Sequence, residues 1–246
     1  MFSFLKNHPF AVKAHFDSSI VLTFAVPKEQ LQNCIPECLE LDVFNDKYAF
    51  VAVAMVQTKE LRPKGFPKFM GNNFFLIGYR IFVRYTNSEG KRLRGLYILK
   101  SETDKRKMEL FGNIFTHYNY TTTNISQEIK NGIRIIESKK SKFNLTIDAL
   151  FENVELPLNS PFLDWKEARR FAGPLPFTFT YNEPKKEVLI IQGLRENWIP
   201  KPIKVIDYEF DFLKNSRFEN AILANAFIIE DIPYEWKKGK IELWKP

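Results

Sequence analysis

Tyr48-Ala49-Phe50-Val51-Ala52-Val53-Ala54-Met55-Val56 is apolar at odd and even positions alike. Successive residues of a strand point to opposite faces, so a strand with this composition has both faces covered. Asn45-Asp46-Lys47 before it is a turn out of a shorter extended segment over 39–44. A closed or strongly curled sheet with other elements packed outside satisfies that pattern.

Working outward, Ile20-Val21-Leu22-Thr23-Phe24-Ala25-Val26 is a β-branched apolar run, and Pro27 suits the first turn of a short helix over 28–32. After a loop over 61–67, strands are predicted over 73–85 and 93–101, joined by Asn87-Ser88-Glu89-Gly90. Thr103 is the expected N-cap of a helix over 104–114. Asn131-Gly132 predicts a hairpin between 118–129 and 133–137, and 143–151 adds a strand. A second helix over 163–172, opened by Asp164 or Ser160-Pro161, ends at Gly173-Pro174. Further strands follow over 177–181, 188–193, 203–212 and 222–229, with a last one near 241–244. No linker, low-complexity tract or internal repeat interrupts the chain. The expectation is one domain over 1–246, α+β but mainly β: a closed or nearly closed antiparallel barrel with two or three short helices packed outside.

Composition excludes several function classes. With 246 residues, 45% apolar and 24 Phe, the chain can fill a core and is not intrinsically disordered. Lys6 and His8-Pro9 interrupt the opening before a signal peptide develops, and no run approaches the ~18 apolar residues of a membrane span. A cytoplasmic protein without a membrane partner is expected. The net charge of +7 comes from lysines and arginines spread over turns with acidic neighbours, which reads as solvated surface rather than a nucleic-acid footprint. Cys34 and Cys38 lack companion Cys or His residues, so they read as reduced thiols, with no metal site. No phosphate cradle or nucleophile elbow appears, and no cofactor is expected.

Leu61-Arg62-Pro63-Lys64-Gly65-Phe66-Pro67, Gly78-Tyr79-Arg80-Ile81-Phe82 and Gly95-Leu96-Tyr97-Ile98-Leu99-Lys100-Ser101 resemble successive blocks of an uncharacterised bacterial family. These are the YqjF-like proteins of the acetoacetate decarboxylase-like superfamily. The run from Glu167 to Phe177, and Ala224-Asn225-Ala226-Phe227 before Pro233-Tyr234-Glu235-Trp236, are similar to later blocks. The resemblance spans nearly the whole chain and implies a closed, mainly antiparallel barrel with a central cavity. In acetoacetate decarboxylase, one lysine of a Lys-Lys pair after a helix forms a Schiff base with a β-keto acid, and its neighbour keeps it unprotonated. By that resemblance the pair falls at about Thr116-His117, and the enzyme's pocket glutamate falls near Leu76. Neither position supplies the required group.

The candidate residues each carry two readings. His117, beside Thr116, Tyr118 and Tyr120, reads as a general base or anion ligand, or else as a histidine bonded in the wall. Arg80 stands on a strand with Phe74, Leu76 and Phe82 on its own side. A guanidinium there must meet a ligand anion, water, or a carboxylate such as Glu102 or Asp104. Lys100 shares sequence parity with Arg92, Arg94, Leu96 and Ile98 and is a candidate displaced imine-forming lysine, although its basic neighbours of equal parity point to an outward strand-end lysine. Arg62 is a candidate for the mouth of the cavity. Arg169, with Arg170, either lines the pocket or simply complements a helix dipole. The expected partner is a small carbonyl or carboxylate ligand. The alternative is a non-catalytic protein that kept the barrel, as a homo-oligomer.

Overall fold

The computed structural model describes residues 3–171, 175–196 and 198–245. The chain opens with β1 (Val12–Pro27), β2 (Glu40–Leu41), β3 (Tyr48–Pro63), β4 (Asn72–Thr86) and β5 (Arg92–Thr103). The shorter β6 (Tyr120–Thr122), β7 (Ser126–Lys130), β8 (Ile133–Ser138) and β9 (Phe143–Asp148) come next. After them run β10 (Phe177–Asn182), β11 (Glu187–Arg195), β12 (Lys201–Pro202), β13 (Lys204–Phe210), β14 (Ile222–Trp236) and β15 (Lys240–Leu243). Three α-helices interleave: α1 (Lys28–Gln32), α2 (Arg106–Phe115) and α3 (Trp165–Ala168).

Seven strands close into a ring in the order β14, β1, β3, β4, β5, β10, β11, with β11 pairing back onto β14. The pairings are antiparallel apart from one seam, where β10 runs parallel to β5, and a short parallel addition of β6 to β5. A second sheet, β13-β9-β8-β7, covers one outer face of the ring. This explains the apolar run over 48–56. Ala52, Ala54 and Val56 face the inside of the ring, while Val53 and Met55 pack outward with Ile136, Leu145 and Ile147 of the second sheet.

One end of the ring is filled by aromatic side chains. The Phe50 ring lies 4.8 Å from Phe171 and 5.6 Å from Phe162, and Phe44 lies 5.1 Å from Phe162. At the same end the fully buried Asp42 accepts from Arg84 Nε and Arg94 Nε, each at 2.7 Å. Two guanidinium groups on one buried carboxylate offset its desolvation.

Several local expectations shift. The extended segment expected over 39–44 forms a strand at Glu40–Leu41 and, beyond it, a single bridge from Phe44 to Tyr48. Helix α2 starts at Arg106 after Lys105, while Thr103 Oγ1 accepts weakly from Lys105 N at 3.4 Å, before the helix begins. The arm expected over 118–129 divides, β6 joining β5 and β7 forming the hairpin with β8. At that hairpin Asn131 and Gly132 have φ of 51° and 82°, as a primed two-residue turn requires. Asp164 caps α3 by accepting from Glu167 N at 2.7 Å, and a single 3-10 turn, Arg169–Phe171, continues it. The expected stop at Gly173-Pro174 lies outside the described residues. Among the described residues no helix is long and apolar enough to cross a membrane.

Candidate functional site

Inside the ring, between the aromatic plug and the opposite end, is a cavity of about 110 Å³. Arg80 enters it from β4. Across the ladder, Ala52 stands opposite Arg80 and Ala54 opposite Gly78. Small side chains there leave the volume that the guanidinium needs. The side chain folds back over Gly78, where a Cβ would stand 2.8 Å from Arg80 Nε and 2.9 Å from Nη2.

No carboxylate lines this cavity among the described residues. Of the carboxylates named as partners for Arg80, Glu102 is held instead by Lys100 at 3.0 Å and by Ser141. Asp104 accepts from Phe75 N at 2.8 Å and pairs with Lys105 at 3.2 Å. Arg80 Nε is buried without a hydrogen-bond partner. Burial pulls the Arg80 pKa down, and the nearby hydroxyls of Tyr120, Tyr234 and Tyr118 act in the opposite direction. Arginine nevertheless stays charged at physiological pH.

Other donors converge on the same space. Trp198 Nε1 lines it and is likewise buried without a partner, and Tyr118 Oη lines it beside Thr178. A second guanidinium, Arg195, reaches in from the end of β11, lies 4.9 Å over the Trp198 ring and hydrogen-bonds Tyr234. Burial raises the pKa of Tyr118, of Tyr234 and of Tyr120, the last to about 12, so all three phenols keep their protons near neutral pH. The cavity therefore presents two cations and several O–H and N–H donors without a compensating anion among the described residues. Such a lining is suited to an acceptor-rich, negatively charged group.

Toward the α2 end the cavity borders an outer groove of about 300 Å³. Leu76, Tyr118, Tyr120 and Trp236 line both spaces. Gly112 lets α2 lie against Tyr120, since a Cβ there would stand 2.3 Å from the ring. Arg62 lines the groove, tied to the rim by Nη1 donating to Glu60 O at 2.7 Å and Nε donating to Phe66 O at 3.0 Å. Thr116 also lines it, with Oγ1 donating to Gly112 O at 2.8 Å.

His117 is directed elsewhere. Its Nε2 lies 3.1 Å from Asn7 Oδ1, and burial together with Lys6 lowers its pKa. Lys100 also lies away from the cavity, over the outer rings of Tyr79 and Phe212. A bulge explains this position: Tyr79 pairs with Lys100 but Arg80 pairs with Ile98, leaving Leu99 as an extra residue. Sequence parity is thus reset, and Ile98 faces inward while Lys100 faces outward. Arg169 lies in a separate outer groove with Trp165 and Pro202. Of the sequence-derived candidates, only Arg80 lines the inner cavity, with Arg62 and Thr116 along the groove beside it.

Residues 13–229 match the profile of DUF2071, a family described as an uncharacterized conserved protein. The chain belongs to the DUF2071 family. No curated protein matches it. Among solved structures, this DUF2071 member is similar to an acetoacetate decarboxylase from Legionella pneumophila subsp. pneumophila str. Philadelphia 1, at TM-score 0.64 and 12% identity over 95% of this chain and 88% of that one. An acetoacetate decarboxylase-like enzyme from Sphingomonas wittichii RW1 gives TM-score 0.58 and 11% identity, over 97% and 94%. The enduracididine biosynthesis enzyme MppR, complexed with the condensation product of pyruvate and imidazole 4-carboxaldehyde, gives 0.57 and 12%, over 95% and 89%. At such identities the likeness is one of fold.

Arg195, Tyr234 and Trp198 were not singled out from the DUF2071 sequence. Gly193 could have signalled the first two, because it makes room for a ring: a Cβ there would stand 2.0 Å from Tyr234 Oη. Tyr234 and Trp236 turn inward after Asp231, whose φ of 57° changes the inward face of β14 from Phe227 and Ile229 to even-numbered residues.

Proposed function

We propose that the ring binds a small carbonyl or carboxylate compound, with its anionic end on Arg80. The observation that carries this reading is Arg80, whose buried Nε has no hydrogen-bond partner, in a cavity lined also by the unpartnered Trp198 Nε1 and, among the described residues, by no carboxylate. An enclosed unpaired charge is costly to a fold, and a bound carboxylate would offset that cost with charge-assisted hydrogen bonds. Arg195 adds a second positive charge, and Tyr118 and Trp198 can donate to a carbonyl oxygen. One structural neighbour is described as complexed with pyruvate, a compound of this class.

No lysine lines the inner cavity among the described residues, which supports binding or chemistry other than imine formation. The whole chain serves as one domain in this reading, in the cytoplasm.

Calorimetric titration with pyruvate and acetoacetate tests the proposal. Saturable binding to the unaltered protein and at least a tenfold loss in Arg80→Met are expected, in line with ~1.5–3 kcal/mol for hydrogen bonds to charged groups. Equal affinity in the two proteins would exclude Arg80 as the anchor. Borohydride added to either mixture should leave the protein mass unchanged, whereas a covalent adduct would restore imine chemistry.

A further inference from the structure

Arg80 and Arg195 line the inner cavity only, whereas the groove that shares Leu76, Tyr118, Tyr120 and Trp236 with it is apolar along most of its wall. Phe10, Leu61, Met108, Phe111, Phe115 and Trp236 all line the groove, and each keeps part of its surface uncovered. Phe10 and Phe115 meet edge to face at 5.2 Å, forming one firm side. The cations beside them do not make the groove an ion site. Arg62 is committed to two backbone carbonyls of its own rim, and Lys107 lies at 6.0 Å over the outer Phe111 ring.

A short acid such as pyruvate would occupy the inner cavity and leave this apolar channel unfilled. Uncovered apolar surface that shares a wall with a charged site is suited to a ligand with an apolar portion attached to its charged head. We infer that the physiological ligand is an amphiphilic carboxylate, with its head on Arg80 and a medium-length apolar tail along the groove between α2 and the start of β4. This rests on the anion-binding reading above and adds the part of the ligand that selects among carboxylates.

The test is a homologous series of straight-chain acids, acetate, butanoate, hexanoate and octanoate, each paired with its neutral primary alcohol and titrated calorimetrically. Burial of each further methylene should tighten binding by about fourfold, the equivalent of ~0.8 kcal/mol, until the groove is full. Arg80→Met should weaken every acid by at least tenfold while preserving the dependence on length. Met108→Trp, which fills the groove, should abolish the gain beyond butanoate and leave butanoate unaffected. Phe115→Ala, which widens the groove, should move the optimum to longer chains; the two variants act in opposite directions, so a general loss of folding cannot imitate both.

A flat series in the unaltered protein, with Arg80-dependent binding of butanoate, would overturn the tail and leave the anion site standing. Acids and alcohols binding alike, with a length dependence that Met108→Trp removes, would overturn the charged head and with it the amphiphilic ligand. A length dependence that survives Met108→Trp and Phe115→Ala would place the tail elsewhere and refute the groove.

Discussion

Arg80 and Gly78 form one unit: the guanidinium lies over the glycine, at a distance where a Cβ would be 2.8 Å from Nε. A methyl group at residue 78 would meet the far end of a flexible side chain rather than backbone. The expected result of Gly78→Ala is therefore a displaced guanidinium in an intact fold. Binding of pyruvate should weaken about tenfold, the equivalent of one lost charge-assisted hydrogen bond, while the urea midpoint changes little. A large fall in the midpoint with unaltered affinity would count against the arrangement.

Arg80 also makes a prediction about stability. A guanidinium without a counter-ion beside Ala52, Leu76, Phe82 and Leu96, its Nε buried and unbonded, is a cost to the ligand-free protein. Arg80→Met, of similar length and without charge, should raise unfolding free energy by about 1–3 kcal/mol in urea titration while weakening ligand binding. Destabilisation would mean that the guanidinium has a structural partner.

Asp42 presents the opposite case. It has no exposed surface and receives Arg84 and Arg94 from adjacent strands. Asp42→Ala leaves two partly exposed cations facing one another across β4 and β5. A loss of about 3 kcal/mol, read from the urea midpoint, is expected. Pyruvate affinity measured well below the new midpoint should be retained, because this pair belongs to the plugged end of the ring.

The histidines give a pH dependence with a definite sign. Burial lowers the folded-state pKa of His8, and burial together with Lys6 lowers that of His117, both below the ordinary 6.5. The unfolded chain then binds more protons between those depressed values and 6.5, so unfolding free energy falls as pH drops below 6.5. Above it this contribution is constant. Equilibrium unfolding between pH 7.5 and 5 should show the decline, and the pair His8→Asn and His117→Asn should flatten it. Glu235 and Glu242, whose pKa values lie below 4.5 in the folded protein, should add a separate loss at lower pH in both proteins.

The sequence by itself determined that this would be a mainly β protein with both faces of its central strands covered. Period-two alternation and apolar runs report burial directly, as the run over 48–56 does, and turn chemistry at Asn131-Gly132 fixes a local backbone shape. The sequence also put an arginine among apolar neighbours at residue 80, which is legible because an unpaired charge in such surroundings is costly. Only the tertiary structure decided which side chains share the cavity. The extra residue at Leu99 turns Lys100 outward, and the left-handed Asp231 turns Tyr234 and Trp236 inward. Arg195 reaches Tyr234 because ring closure brings the end of β11 against β14. Bulges and strand closure are set by the balance of many weak contacts across the whole sheet, so their effect on side-chain direction is not written in any short stretch of residues.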